Sequence, residues 1–403
     1  MSLFSDMKLS EICALVTDGT HDSPKLQESG VPFIKGKHIN TGRIDFVGCD
    51  YITDDDHQKC IKRVKPEKDD ILIANIGSIG DCARVETETE FSIKNVALLR
   101  PDPEIVDPSY FYHFVKSPLF QGRLLNLRLG SAQPYVSLAA FRGFEVPIIS
   151  DTKIQKKIGQ TADAYEGLIE NNRRRIALLE EAARLLYREW FVHFRFPGHE
   201  HVKIVDGIPE GWEEGTIADL GEAITGKTPS KKKPEFYGDD VPFIKTPDMH
   251  GNAYVVQTEE YLSNEGAKSQ QNKTLPKGSI LVSCIGSVGV VSMNGSPAQT
   301  NQQINSVVPR KDDWRFFCYS FLKSIKPRLE ALGGGATMAN VNKSKFQSIP
   351  VLLPVDELTG GFQSIVEPQF AMIETLIRQN IELAKARDLL LPRLMDGRLE
   401  VAA

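Results

Sequence analysis

The chain has 403 residues, a formal net charge of −5 at pH 7 and 25% charged residues. This length is sufficient for two or three domains, and the composition is that of a globular protein. No apolar stretch could span a membrane and the N-terminus lacks the features of a signal peptide, so we expect a cytoplasmic protein without a membrane partner. The negative charge means that nucleic-acid binding would need a locally basic surface. The six cysteines show no paired spacing, which predicts reduced thiols and no zinc site.

The sequence repeats itself at a spacing of roughly 205 residues, a pattern typical of two modules with one fold. Val31–Lys35 recurs as Val241–Lys245, and Ile71–Gly80 recurs as Ile280–Gly289. Weaker matches join Phe114–Ser117 to Phe321–Ser324 and Gly130–Ser137 to Gly335–Asn342. The basic run Lys231–Lys233 has no counterpart in the first half. The scaffold therefore repeats while its surface residues differ, as expected for two modules that bind different ligands.

Short strands are predicted within each half. The apolar runs Ile71–Ala74 and Ile280–Ser283 each end at a turn that contains glycine. Asp107 precedes a proline, and this pair predicts a capped helix over Pro108–Ser117. Each half then continues through an apolar strand that contains proline into a long helix.

The first long helix follows the strand predicted at Phe144–Ile149 and extends to Trp190. Apolar residues recur along it with alternating steps of four and three, which is the a/d pattern of a helix that packs on another helix. The seam comprises Ile158, Ala162, Tyr165, Ile169, Asn172, Ile176, Leu179, Ala183, Leu186 and Trp190. The turn-rich segment Phe191–Gly211 predicts a linker into the second module.

A second long helix follows the strand predicted at Ile349–Pro354. Its seam has the same spacing and comprises Phe362, Val366, Gln369, Ile373, Leu376, Asn380, Leu383, Arg387, Leu390 and Leu394. Pro392 and Asp396–Gly397 are predicted to end it. Either stretch alone is typical of an ordinary amphipathic surface helix. The shared register instead predicts that the two helices pair as a coiled coil, which would be antiparallel if a two-fold axis relates the modules.

The predicted fold class is mixed α+β, with two similar α/β globular modules joined by two long helices. The predicted boundaries are residues 1–150 for the first module and 197–353 for the second. Residues 151–196 and 354–403 form the helical segments. Equivalent modules in one chain are often related by a two-fold axis, so we expect a pseudo-two-fold internal repeat.

Three motifs invite catalytic or ligand-binding interpretations. Gly221–Thr228 fits the P-loop pattern, but Pro229 and the lysines that follow prevent the helix that a P-loop requires. Asp107–Tyr110 is one residue away from the Asp-Pro-Pro-Tyr motif of amino-methyltransferases, and helix capping explains it. His199–His201 lies in the linker with no third ligand cluster nearby. We therefore expect no catalytic residue, no metal and no cofactor.

The order and repetition of these segments resemble the specificity subunit of type I restriction-modification systems. The matching segments are Asn75–Gly80, Gly130–Gln133, Glu189–Phe194 and Leu391–Arg398, and the resemblance covers essentially the whole chain. The second module departs from the pattern because Met338 stands where the first has Gln133.

The resemblance implies that each module is a target recognition domain for one half of a split, double-stranded DNA sequence. It implies that the paired helices are a spacer between these domains. It further implies two methyltransferase subunits as partners, joined by restriction subunits that translocate DNA with ATP. The specificity subunit itself catalyses nothing.

Residues that could contact DNA lie on the repeated loops and on the basic run of the second module. Lysine, serine and threonine bind phosphate, and glutamine and asparagine read bases. In the first module they are Lys35, Lys37, His38, Asn40, Asn75, Ser78, Ser131, Gln133 and Tyr135. In the second they are Lys231, Lys232, Lys245, Thr246, Ser287, Thr337 and Asn340. Two alternatives remain open from the residues alone, a nucleotide-binding protein that uses Gly221–Thr228 and a coiled-coil scaffold that does not bind DNA.

Overall fold

A computed structural model describes residues 3–40, 42–130, 134–334 and 339–395 of the chain. The chain divides into two compact units. Unit 1 comprises Met1–Leu168 with Leu383–Ala403, and unit 2 comprises Ile169–Glu382. Each of the two long helices therefore contributes one segment to each unit.

Unit 1 is built from short strands and helices before the first long helix. In chain order they are β1 (Phe4–Lys8), α1 (Leu9–Ile12), β2 (Cys13–Asp18), β3 (Val31–Lys35), β4 (Ile39–Asn40), β5 (Arg43–Ile44), β6 (Asp50–Ile52), α2 (Asp54–Cys60), β7 (Ile71–Ala74), β8 (Cys82–Arg84), β9 (Ser92–Lys94), β10 (Val96–Pro101), α3 (Pro108–Lys116), α4 (Pro118–Leu125), α5 (Leu138–Gly143), β11 (Glu145–Ile149) and α6 (Thr152–Tyr187). The predicted strand at Ile71–Ala74 is confirmed, as is the helix that Asp107 caps by accepting a hydrogen bond from the Tyr110 amide.

The core of unit 1 surrounds an antiparallel sheet with the strand order β2-β10-β7-β8. Ile71 and Ile73 of β7 point to one face and pack with α3, whereas Leu72 packs with the other cluster of buried residues. All three are fully buried, because alternate residues of a central strand face opposite sides of a sheet. A second sheet has the order β6-β3-β9, and β1 pairs with β11.

Unit 2 begins within α6 and ends within the second long helix. Its elements after α6 are β12 (Ile204–Val205), β13 (Ile208–Pro209), β14 (Glu213–Thr216), α7 (Ile217–Leu220), β15 (Gly221–Thr225), β16 (Tyr237–Ile244), β17 (Tyr254–Val255), β18 (Glu260–Leu262), α8 (Asn264–Lys268), β19 (Ile280–Ser283), β20 (Val291–Asn294), β21 (Gln299–Thr300), β22 (Ile304–Pro309), α9 (Arg315–Ser324), α10 (Lys326–Leu332), α11 (Lys343–Gln347), β23 (Pro350–Leu353) and α12 (Asp356–Met395).

The sheets of unit 2 repeat those of unit 1. The order β15-β22-β19-β20 corresponds to β2-β10-β7-β8, and β18-β16-β21 corresponds to β6-β3-β9. The register is also shared, since Phe33 pairs with Asp50 and Phe243 pairs with Glu260. The predicted mixed fold with an internal repeat is confirmed.

The long helices α6 and α12 pair antiparallel within each unit. In unit 2, Asn172 lies opposite Asn380, and the ring centroids of Trp190 and Phe362 are 6.1 Å apart. In unit 1, the Arg387 guanidinium lies 2.8 Å from a Glu166 carboxylate oxygen. The predicted seam residues are all at least partly buried. Those that are buried include Ile158, Ala162, Ile169, Asn172, Ile176, Ile373 and Leu376, and those that are partly buried include Tyr165, Leu179, Leu186, Asn380, Leu383 and Leu390.

One prediction about the segments that flank the helices needs correction. Pro392 does not end α12, which continues to Met395, because burial of Leu394 and Met395 outweighs the hydrogen bond that a proline cannot donate. The segment predicted as a linker packs on the core of unit 2. Phe191 and Phe196 are buried against Trp212 in the aromatic core of unit 2.

A polar cluster ties α3 and β8 to α6 in unit 1. The Asp163 carboxylate accepts hydrogen bonds from Ser109 Oγ at 2.7 Å and Arg84 Nη2 at 3.1 Å, and it lies 2.9 Å from His113 Nε2. Burial by itself would raise the pKa of Asp163, but the hydrogen bonds from His113, Ser109 and Arg84 outweigh it. The pKa therefore lies well below its usual range, and Asp163 is held as a carboxylate.

Candidate nucleic-acid interface

The glycine turn after the central strand meets a second loop in the same way in both units. In unit 1 the Val136 amide donates to the Asn75 carbonyl oxygen at 2.9 Å, and Ile76 forms a bridge to Tyr135. In unit 2 the Val341 amide donates to the Cys284 carbonyl oxygen at 2.8 Å. Sequence segments that were predicted separately thus lie side by side.

Several predicted contact residues on these paired loops are exposed. They are Ser78 and Tyr135 in unit 1 and Ser287 and Asn340 in unit 2. Gly77 and Gly286 both have a φ of 78°, a conformation that favours glycine, and a Cβ at either would meet nothing within 4 Å. The turns therefore present backbone and small polar side chains to the surroundings, which suits close approach to another molecule.

Lys35 and Lys245 stand at equivalent strand ends, and each is paired with a carboxylate of its own unit. Lys35 Nζ is 2.7 Å from Asp50, and Lys245 forms an ion pair with Glu260. The hydrogen bond from Lys35 lowers the pKa of Asp50. These pairings reduce the charge that either lysine can offer to a phosphate. Lys37 is more exposed and lies 3.5 Å from Asp50.

Three predicted contact residues are buried, which argues against direct contact with DNA. His38 is 3% exposed, its Nδ1 accepts from the Lys35 amide, and burial lowers its pKa. Thr246 and Asn75 are each 7% exposed, and the Asn75 side chain donates to the Val136 carbonyl oxygen. Short sequence motifs do not reveal this burial, because it depends on packing with distant segments.

Some predicted contacts lie outside the described residues. Ser131, Gln133 and Thr337 are among them, so their roles stay predictions. Asn40 ends β4, and only its backbone is described.

The basic loop of unit 2 carries the most accessible positive charge among the candidate residues. Lys231 and Lys232 are exposed and have no ion pair among the residues the structure describes. Lys233 lies over the Phe236 ring at 4.7 Å. Unpaired lysines on a loop are well suited to phosphate contacts.

The Gly221–Thr228 segment is not a P-loop. Gly221–Thr225 is a strand, β15, and the Gly226 amide donates to the Ile304 carbonyl oxygen at 3.0 Å. A Cβ at Gly226 would clash with the Asn301 carbonyl oxygen. The backbone amides needed for phosphate are thus engaged in the sheet, and packing leaves no room for a phosphate group.

The sequence interpretation missed a turn rich in amides at the centre of the unit 2 loops. Asn301, Gln302 and Gln303 connect β21 to β22, whereas unit 1 has Lys94 and Asn95 at the equivalent place, between Ile93 and Val96. The one extra residue is visible in the sequence as an insertion in the repeat. Asn95 lies 2.9 Å from His21 through side-chain atoms.

Metal and membrane interpretations gain no support. His199–His201 forms a short 3-10 helix, and His199 Nδ1 lies 2.8 Å from the Phe196 carbonyl oxygen. Within residues 3–40, 42–130, 134–334 and 339–395, no group of three or more histidine, cysteine or acidic residues could hold a metal. The helices in those same ranges include none with the length and apolarity needed to cross a membrane.

Each unit also has a cleft beside its repeated lysine-serine helix end. In unit 1 a cleft of about 250 Å³ includes Lys116, Glu166 and Arg387 in its lining. In unit 2 a larger cleft of about 610 Å³ includes Tyr319 and Lys323. Lys116 and Lys323 occupy matching positions, and each pairs with a glutamate of α6, at 3.0 and 2.9 Å.

The family described as "Type I restriction modification DNA specificity domain" matches residues 1–181 and 209–385. The specificity subunit of the type I restriction enzyme HindI of Haemophilus influenzae is 46% identical over 195 residues, which are 48% of this chain and 42% of that protein. The MjaIX specificity subunit of Methanocaldococcus jannaschii is 24% identical over 98% of this chain and 94% of that protein. A solved S subunit from M. genitalium superposes with a TM-score of 0.64 at 16% identity, covering 97% of this chain and 96% of that chain, and shows the same fold.

The two matched ranges together span most of the chain. The chain therefore belongs to the type I restriction-modification DNA specificity family. It is a specificity subunit, a class whose members recognise DNA targets and are not themselves catalytic. The predicted family, fold class and general function are confirmed.

Proposed function

We propose that this protein selects a split DNA sequence at which partner subunits methylate adenine or cleave DNA. Unit 1 reads one half of the target and unit 2 reads the other. The observation that carries the proposal is that one loop arrangement is built twice with different exposed residues. Exposed Tyr135 stands where unit 2 has exposed Asn340, and the exposed Lys231 and Lys232 of unit 2 have no counterpart in unit 1, whereas Ser78 and Ser287 are the same. Two copies of one reader with different side chains suit a target with two different halves.

In this proposal residues 1–150 and 197–353 are the target recognition domains. Residues 151–196 and 354–403 are the helical spacer. The seam between α6 and α12 is buried within each unit, which supports a spacer role for these helical segments. A rigid connection would fix the number of base pairs between the two half-sites, since half-site spacing follows protein geometry.

We further propose two methyltransferase subunits as the immediate partners, with restriction subunits joining them, in the cytoplasm. The relatives are specificity subunits of restriction enzymes, which supports such an assembly. The clefts at matching positions in units 1 and 2 support two copies of one partner. In unit 2, Leu178, Leu185 and Val192 are 70%, 47% and 50% exposed at a spacing of seven residues. Such a stripe lies on one face of a helix and is suited to another helix.

The test is to express this chain with a type I methyltransferase subunit and to map modified adenines across a host genome. We expect one split sequence to be modified, and we expect a different sequence when a relative's specificity subunit replaces this chain. A modification pattern that does not depend on which specificity subunit is present would contradict the proposal. Native mass spectrometry of the complex would give the ratio of subunits, which we expect to be two methyltransferase subunits to one specificity subunit.

A further inference from the structure

The turn Asn301–Gln303 is held by hydrogen bonds to two segments of unit 2 that carry or adjoin candidate contact residues. The Asn301 amide donates to the Ile244 carbonyl oxygen at 3.1 Å, next to Lys245. The Cys284 amide, at the start of the glycine turn, donates to the Gln303 carbonyl oxygen at 2.7 Å. The turn therefore has a fixed backbone where these loops meet.

The same turn is also joined to the basic loop. The Lys227 amide donates to the Thr300 carbonyl oxygen at 2.9 Å, and Thr228 Oγ1 donates to Gln302 Oε1 at 2.6 Å. Lys231 and Lys232 follow three and four residues after Thr228 and are exposed. Candidate phosphate contacts and a glutamine amide are therefore anchored on one pair of loops.

The three amides of the turn differ in what they can still bind. Asn301 is 8% exposed, and its side chain bonds to Gln303 through Nδ2 and accepts from the Gln303 amide. Those two side chains are engaged in shaping the turn. Gln302 is exposed, and its Nε2 has no hydrogen-bond partner in the described part of the chain. Gln302 is therefore the member of the turn that can contact a ligand.

We propose that Gln302 is a specificity-determining residue of unit 2 that reads adenine at one position of its half-site. This inference rests on the proposed function. Glutamine recognises adenine in the major groove by accepting from N6 and donating to N7. The Thr228 hydroxyl donates a hydrogen bond to Gln302 Oε1. This oxygen has a second lone pair that can accept from adenine N6, and Gln302 Nε2 can donate to adenine N7. Thr228 is thus a positioning residue that sets the orientation of the amide.

The position of Gln302 in the repeat supports the same inference. Unit 1 joins the equivalent strands through Lys94 and Asn95, and unit 2 has one more residue there, in Asn301–Gln303. The surrounding strands keep their order in both units. An insertion confined to an exposed turn of a repeated scaffold changes the ligand-facing surface without changing the fold.

The experiment uses the complex with methyltransferase subunits and the split target found by adenine mapping. Dissociation constants are measured for duplexes in which each base pair is replaced singly. For the native complex we expect one A·T pair whose replacement weakens binding by roughly 5-fold to 150-fold and whose penalty depends on Gln302. In Gln302→Ala, replacing that pair should change the dissociation constant by only about 1-fold. The loss of affinity caused by replacing other pairs should be unchanged. In Gln302→Glu the preferred base there should become cytosine, since a carboxylate accepts from cytosine N4.

Thr228→Val should reduce the penalty at the same position, and Thr228→Ser, which keeps the hydroxyl, should restore it. Gln257→Ala, at another exposed glutamine of unit 2, is the matched control and should leave every penalty unchanged. If Gln302→Ala keeps all penalties, or weakens every duplex by one common factor, the inference is overturned. If the native complex has no target that depends on this chain, the proposed function itself fails.

Discussion

Asn172 donates a hydrogen bond from its side-chain amide to the Asn380 side-chain oxygen at 3.0 Å, between the two long helices of unit 2. The neighbouring seam residues Ile169, Ile176 and Ile373 are buried and apolar. A polar pair in such a seam specifies the register of the two helices and makes their packing less stable than an apolar pair would. Its energetic role can be tested because both partners are known.

Replacing one asparagine of this pair should lower the free energy of unfolding more than replacing both. Asn172→Ala leaves the Asn380 amide without a partner, so we expect the free energy of unfolding to fall by about 1–3 kcal/mol. The double variant Asn172→Leu with Asn380→Leu should be as stable as the native chain or more stable, since neither polar group is left. Urea denaturation followed by circular dichroism measures both. A double variant that is less stable than Asn172→Ala would contradict this account.

Two glycines of α6 in unit 1 should respond in opposite directions to alanine. A Cβ at Gly159 would lie 2.6 Å from the Tyr110 amide nitrogen, whereas a Cβ at Gly167 would meet nothing within 4 Å. Gly159→Ala forces the start of α3 away from α6 and should destabilise the chain by about 1–3 kcal/mol. Gly167→Ala improves helix propensity and should stabilise it by up to about 1 kcal/mol. Thermal unfolding of the two variants side by side is the measurement, and equal shifts would contradict the proposed close packing.

The contribution of Asp163 to stability should depend on pH. Its pKa is lowered in the folded chain, so its stabilising effect is complete above the unfolded pKa of about 3.9 and is lost as the pH falls through the folded value. We expect Asp163→Asn to be less stable than the native chain at pH 7, with the difference shrinking below about pH 4. Urea denaturation from pH 3 to pH 7 tests this. A difference that grows on acidification would have the wrong sign.

The long helices and the repeat were predictable because they depend on local periodicity and on similarity between segments. Ile158, Ile169 and Ile176 fall on one helix face whatever they pack against. The ion pair of Lys35 with Asp50 was not predictable, because it requires the register of β3 with β6. The importance of Gln302 was missed for the same reason, since its loop neighbours are distant in sequence.

The ion pair of Lys245 should make it less important for DNA binding than the unpaired lysines of the basic loop. Lys231 and Lys232 are exposed and have no carboxylate partner in the described ranges, whereas Lys245 is paired with Glu260. A lysine that contacts DNA phosphate releases a counterion on binding, and its loss reduces the slope of log affinity against log salt by about 1. A lysine already neutralised by its own unit contributes little to that slope.

We therefore expect Lys231→Ala with Lys232→Ala to reduce the salt slope of target binding by about 2 while base preference is unchanged. Lys245→Ala should leave the slope near its native value and should instead lower stability, because Glu260 loses its ion-pair partner. Binding of the methyltransferase complex to its target at several salt concentrations measures the slope, and thermal unfolding measures stability. A larger change in the salt slope for Lys245→Ala than for the double variant would contradict this prediction. It would show that Lys245 leaves Glu260 when DNA binds, and that the phosphate contact lies at the end of β16 and not on the basic loop.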